Sequence, residues 1–188
     1  MRGAAVWVLA ALCSGVALAQ PGSERLAVCG GCHGLNGQSV IAGTPSLAGQ
    51  PKVFIENQLV IMREGLRDVP AMKPFVADLK DADISALATH YAALPAKGAA
   101  APTQADKAKA GAALAQRLLC NTCHLPDYAG QQQVPRLAAQ DETYLAQSMK
   151  QFRDHPGPGR DTIMAATLRG LTDDELAQLA HFLAHFKP

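Results

Sequence analysis

The chain has no excess of charge of either sign. Its 17 Lys and Arg stand against 16 Asp and Glu, a formal net charge of +1 over 188 residues. The balance holds locally, with six basic and seven acidic side chains in residues 20–95 and ten and nine in residues 96–188. Neither half carries the basic field that tracks a phosphate backbone, so no nucleic-acid partner is expected. A strong overall field for steering partners is missing as well, although a local patch is compatible with these totals. No stretch reaches the ~20 consecutive apolar residues of a membrane span. No segment alternates apolar and polar residues convincingly, as a half-buried strand does. Cysteine is sparse, with five in the whole chain.

The N-terminus accounts for one of the five. Arg2 precedes an apolar run, Ala4 to Val16, broken only by Ser14 and Gly15, and Ala17-Leu18-Ala19 then offers an A-x-A cleavage site before Gln20. Residues 1–19 therefore read as a cleaved secretory signal, and an uncleaved anchor is disfavoured by the shortness of the run. Cys13 follows Leu12, where lipidation would want a small residue, and leaves with the signal.

The other four cysteines form two pairs, each followed at once by histidine: Cys29-Gly30-Gly31-Cys32-His33 and Cys120-Asn121-Thr122-Cys123-His124. C-x-x-C-H is the attachment signal for c-type haem. Two thiols add across the porphyrin vinyl groups as thioethers, and the adjacent imidazole reaches the iron as proximal ligand. Disulfides, zinc and thioredoxin-like redox pairs also use C-x-x-C. A disulfide does not require the histidine after each pair, and zinc held by Cys2His plus a distant ligand leaves the repeat of the two halves unexplained.

A shift of about 90 residues superimposes the halves: Cys29 on Cys120, Pro45 on Pro135, Gln50 on Gln140, Phe54 on Tyr144, Met72 on Met164 and Leu79 on Leu171. The intervening segment is rich in Ala, Pro, Gly and Lys, a linker composition. The expected organisation is a signal at 1–19, a first domain at 20–95, a linker at 96–109 and a second domain at 110–188. Modules this small are near the limit for a self-sufficient core, and a covalent haem would fill much of it. The fold class is all-α. One helix runs into each haem motif, and a second carries Phe54, Ile55, Leu59 and Met62 or Tyr144, Leu145, Met149 and Phe152 on one face. A loop then delivers Met72 or Met164. A last helix follows, its stripe Ile84, Leu87, Tyr91 and Leu94 or Leu176, Leu179, Leu183 and Phe186. Thr172 and Glu175 predict a capping box at its second copy.

A second axial ligand decides what each iron can do. A thioether favours Fe(II), raises the potential and closes the iron to exogenous ligands. Met62 and Met149 fall on helical stripes and read as core packing. Met72 and Met164 lie 39 and 40 residues after their proximal histidines and are taken as the distal ligands. Pro45 and Pro135, 12 and 11 residues after the same histidines, have two readings: a turn proline, or the source of a carbonyl that holds the imidazole's other nitrogen. Arg67 and Arg160 are open between pairing with propionates and simple exposure. His155 sits in an insertion, 154–159, that the first half lacks, and is read as a surface residue. His90, His181 and His185, on the terminal helices, read as structural or solvent-facing.

With these residues placed, the chain resembles class I c-type cytochromes, and as a tandem pair it is similar to the cytochrome c4 family. The segments that carry the likeness are CGGCHGLNG from Cys29, PSLAGQ from Pro45, MKPFV from Met72 and Leu79–Tyr91, with PRLAAQ from Pro135, Tyr144–Arg153 and Leu171–Phe182 in the second half. The resemblance implies two covalent haem c groups with His/Met ligation and propionate edges facing across the domain interface. It implies a periplasmic electron-transfer protein, soluble or loosely membrane-associated. Its redox partners would be a donor dehydrogenase or quinol-oxidising complex and an acceptor such as a terminal oxidase. The chain also resembles di-haem subunits of dehydrogenases and acceptors paired with sulfur-oxidising enzymes. An enzymatic di-haem protein would instead need one iron with an open sixth position. Two departures stand out: Leu-Pro-Asp-Tyr follows His124 in place of a Gly-containing loop, and the insertion around His155 lengthens the second Met segment.

Overall fold

The computed structural model describes residues 23–97 and 103–187. The expected signal, residues 1–19, and the centre of the linker lie outside the described residues. Four helices belong to the first half: α1 (Ser23–His33), α2 (Lys52–Arg63), α3 (Lys73–Val76) and α4 (Asp81–Ala93). Five belong to the second: α5 (Ala105–Arg117), α6 (Cys120–His124), α7 (Glu142–Asp154), α8 (Thr162–Leu168) and α9 (Asp173–His185). Among the described residues the only β pairing is an isolated bridge between Gln131 and Val134, so the all-α expectation holds. The helix α5 begins within the stretch whose composition reads as linker.

Each half closes on its own apolar cluster. In the first, Ile55, Val76, Leu79, Ile84, Leu87 and Tyr91 are buried where α2 packs on α4. In the second, α7 and α5 pack on α9 around Leu114, Leu145, Met149, Leu168, Leu176, Leu179 and Leu183. Each such leucine contributes about 1.5–3 kcal/mol by leaving water. The α5–α9 crossing is close enough to demand glycine: a Cβ on Gly111 would stand 2.1 Å from the Gln178 carbonyl oxygen.

Local chemistry sets the helix starts. Thr172 Oγ1 accepts the Glu175 amide at 3.2 Å and Glu175 Oε2 accepts the Thr172 amide at 2.9 Å, the expected capping box. The Asp141 and Asp161 side chains cap α7 and α8 by accepting the Tyr144 and Met164 amides. One arginine per half fixes the last helix to the second. Arg63 donates to the Leu79 carbonyl and to Asp81 and Glu64; Arg153 repeats this with the Leu171 carbonyl, Asp173 and Asp154.

Two details differ from the sequence reading. The first haem motif is continuous with α1, but in the second half the helix breaks before the motif. Leu119 adopts a left-handed conformation at φ 55°, which interrupts the helical hydrogen bonds between α5 and α6. Met164 is not in a loop but in α8, where Asp161 caps a short run that holds Met164, Ala165, Ala166 and Leu168. Met72 sits immediately before the single turn α3.

Candidate haem sites

Helical geometry turns each motif into one face. In α1, Cys29, Cys32 and His33 stand at i, i+3 and i+4, and Cys120, Cys123 and His124 repeat that spacing on α6. No disulfide joins any of the four cysteines; Cys32 and Cys123 are exposed and Cys29 and Cys120 half-buried. The imidazoles face inward, with His33 7% and His124 4% exposed. His33 Nδ1 lies 2.8 Å from the Pro45 carbonyl oxygen, and His124 Nδ1 lies 2.8 Å from that of Pro135. A carbonyl only accepts, so Nδ1 is the protonated nitrogen and Nε2 keeps its lone pair for a metal. Burial pushes both imidazole pKa values below the ordinary histidine range, and the carbonyl bond offsets this only in part. Both rings are therefore held neutral and oriented, the form that ligates iron. The two prolines do more than turn the chain.

The methionines complete each set. Met72 is half-buried and packs on the same apolar cluster as Cys29, and Met164 on the same cluster as Cys120. Met149 is 8% exposed inside the second core, and Met62 packs against the first, as expected of filler. In each half a thioether and the inner thiol of the pair pack on one apolar cluster, and the buried imidazole follows that thiol by one helical turn. That donor set fits a haem c group, and the pairs His33–Met72 and His124–Met164 fit two His/Met sites.

The comparisons with known proteins bear on the whole chain. Residues 108–187 match the family model described as cytochrome c, and residues 19–90 that described as cytochrome c oxidase, cbb3-type, subunit III. A cytochrome c4 from Thiocapsa roseopersicina is 34% identical over 168 residues, covering 83% of this chain and 85% of the relative. The chain belongs to the cytochrome c4 family. The crystal structure of reduced recombinant cytochrome c4 from Pseudomonas stutzeri superimposes with a TM-score of 0.79 at 26% identity, over 90% of this chain and all of that one. The thiosulfate dehydrogenase electron acceptor of Thiomonas intermedia is 31% identical over 169 residues, covering 84% of this chain and 78% of that one. This cytochrome c4 family member is thus a di-haem electron carrier with two haem c groups, and its cytochrome c4 relatives are carriers rather than enzymes. It works with redox partners, and no helix among the described residues is long and apolar enough to cross a membrane.

The cytochrome c4 halves meet through polar side chains whose role the sequence did not reveal. Gln50 and Gln140 are each only 5% exposed, and each reaches into the other half. Gln50 Nε2 donates to the Arg136 carbonyl and Gln50 Oε1 accepts the Arg136 amide, both at 3.0 Å. Gln140 does the same to Ser46, at 2.9 and 2.7 Å. Asp141 Oδ1 adds a bond from the Gly43 amide at 2.9 Å. Arg67 donates to Gln58 and, at 3.5 Å, to the Tyr144 hydroxyl across the interface. Arg160 stacks over Phe152 and bonds Gln151. Burial first, and the nearby Arg67 charge second, push the Arg160 pKa below its ordinary value. Both arginines are half-buried, and among the described residues neither pairs with a carboxylate.

His155 is exposed at the end of α7, as expected of a surface residue. One ligand atom each of Glu142, His181 and His185 gathers within 4.8 Å of the others. The Gln104 amide donates to His181 Nε2 at 3.0 Å, so the proton is on Nδ1 and is donated to Glu142 at 2.9 Å. Lys107 also donates to Glu142, at 2.9 Å. With His181 Nδ1 protonated and Nε2 accepting, neither of its nitrogens has a lone pair for a cation. The cluster pins the start of α5 to α7 and α9.

Proposed function

We propose that Cys29, Cys32, Cys120 and Cys123 form the haem thioethers, that His33 and His124 are the proximal ligands, and that Met72 and Met164 are the distal ones. The domains on this reading run over 20–95 and 110–188, after a signal at 1–19 that sends the protein to the periplasm. The observation that carries the assignment is the repeated 2.8 Å contact from an imidazole Nδ1 to a prolyl carbonyl. Such an acceptor fixes the tautomer, aims Nε2 and raises the basicity of the ligand. Haem bound there supplies one-electron Fe(III)/Fe(II) cycling. The protein's own part is to hold each imidazole neutral, and Met72 and Met164 would supply the second ligand from the apolar cluster of each half. Electrons then pass from a donor dehydrogenase or quinol-oxidising complex to an acceptor such as a terminal oxidase. The likeness to a thiosulfate dehydrogenase electron acceptor supports a sulfur-oxidising enzyme among the donors.

Carbon monoxide tests this reading. The reduced holoprotein with both sites sulfur-ligated binds none at neutral pH. Binding at either haem would overturn the closed-site assignment there and favour an enzyme with a labile sixth position. Reduction of the holoprotein by a purified thiosulfate-oxidising enzyme, compared with a quinol-oxidising complex, distinguishes the donors.

A further inference from the structure

We infer that each domain tunes the proximal histidine of the other through a single shared peptide group. The observation is a coincidence of partners. The Pro45 carbonyl that accepts from His33 and the Ser46 amide that donates to Gln140 belong to the same peptide unit. The Pro135 carbonyl that accepts from His124 and the Arg136 amide that donates to Gln50 belong to another. In a trans peptide the C=O and N–H point in opposite directions. Each unit therefore stands in line between an imidazole of its own half and a glutamine of the other. The two lines are related by the internal repeat, since Gln50 matches Gln140 and the Pro45–Ser46 peptide matches Pro135–Arg136.

The orientation of both amides is determined. Ser46 and Arg136 can only donate through nitrogen, so the atom facing each is Oε1, and Nε2 is left for the carbonyl of the same residue. Gln140 Oε1 also accepts the Asp141 amide, at 2.9 Å, which fixes it further. Burial matters here, because a buried chain of hydrogen bonds polarises along its length. An acceptor on the Ser46 N–H raises the negative charge on the Pro45 oxygen. That oxygen then draws the His33 Nδ1 proton more strongly, and the ring becomes a stronger donor through Nε2. Stronger donation favours Fe(III) and lowers the potential at that site.

Gln50 and Gln140 are thus positioning residues that act on the histidine of the opposite domain. A glutamine that only glued the halves together could bond any exposed peptide. Both instead set Oε1 on the peptide whose carbonyl holds the ligand, with Nε2 on the carbonyl of the next peptide.

The inference rests on His33 and His124 being the proximal ligands, and the test separates the two ideas. In the holoprotein with both haems, Gln140→Leu should raise the potential of the haem held by His33, by on the order of twofold to tenfold in its reduction equilibrium constant. The haem held by His124 should move far less. Gln50→Leu should show the mirror image. The His33 ring N–H resonance should shift in Gln140→Leu while that of His124 stays in place. Intact haem spectra with unchanged potentials, or an equal shift of both haems in each variant, would overturn the relay and leave a simple clamp. Loss of the six-coordinate spectrum in His33→Ala, or its survival, reports separately on the ligand assignment. Should the leucine variants fail to fold, Gln140→Asn and Gln50→Asn keep an amide one methylene short of the contact and carry the same crossed expectation.

Discussion

Gly159 lies so close to Leu66 that a Cβ built on it would fall 2.4 Å from the Leu66 carbonyl oxygen. The glycine has φ +75° and belongs to the insertion that only the second half carries, while Leu66 belongs to the first half. The extra residues therefore reach across and seat on the neighbouring domain. Gly159→Ala should cost about 1–3 kcal/mol, from the left-handed backbone and the clash together. Gly157→Ala, with open space around it, should be near neutral. Thermal denaturation of the two holoprotein variants checks the contrast; equal melting temperatures would contradict the contact.

The proposed ligand assignment gives the methionines different expected effects. Met72→Ala and Met164→Ala should each lower the potential of one haem and open that iron to carbon monoxide. Met149→Ala should instead lower stability by about 2–5 kcal/mol, as a truncated core residue does, and leave both irons closed. Redox titration with carbon monoxide difference spectra reads all three. A ligand variant that kept its wild-type potential would remove that methionine from the iron.

Much of this was legible in the sequence, for physical reasons that also mark where legibility ends. The attachment motifs need fixed residue types at fixed spacing, so Cys29 to His33 and Cys120 to His124 were visible at once. The capping box of Thr172 and Glu175 and the leucine stripe of α9 depend only on local period and were equally plain. The α8 helix carries one local signal, Asp161 three residues before Met164, too little to tell a short helix from a loop. Arg63 and Arg153 occupy matched positions, but their carbonyl partners come from a distant turn. Gln50 and Gln140 correspond in the repeat, yet nothing local says that a glutamine is buried against the other half. Contacts across the repeat depend on how the domains meet, which one-dimensional pattern does not encode.

Glu142 sets a pH dependence. Burial alone would raise its carboxyl pKa, but the hydrogen bonds from Lys107 and His181 outweigh that and hold it below the usual carboxylate range. A depressed folded value means the ionised form is favoured in the folded state. Its stabilisation is present above the unfolded value of about 4.3 and is lost as pH falls through the folded one. Glu142→Gln should be less stable than wild type near neutral pH by roughly 0.5–1 kcal/mol, since the carboxylate is partly exposed. The gap should close on acidification, because every other carboxylate cancels in the comparison. Denaturation curves from pH 7 to about pH 3 measure it, and a gap that persisted at the acid end would contradict the pairing.

On the proposed assignment each half of the chain is stapled to its own haem and offers the iron a histidine and a methionine. Expression with the haem-ligation machinery, followed by intact mass of the denatured protein, tests it most directly. Two covalently added haems are expected for the wild type, and one each for Cys29→Ala/Cys32→Ala and Cys120→Ala/Cys123→Ala. A wild-type mass with fewer than two, or double variants that still carry both, would contradict the account.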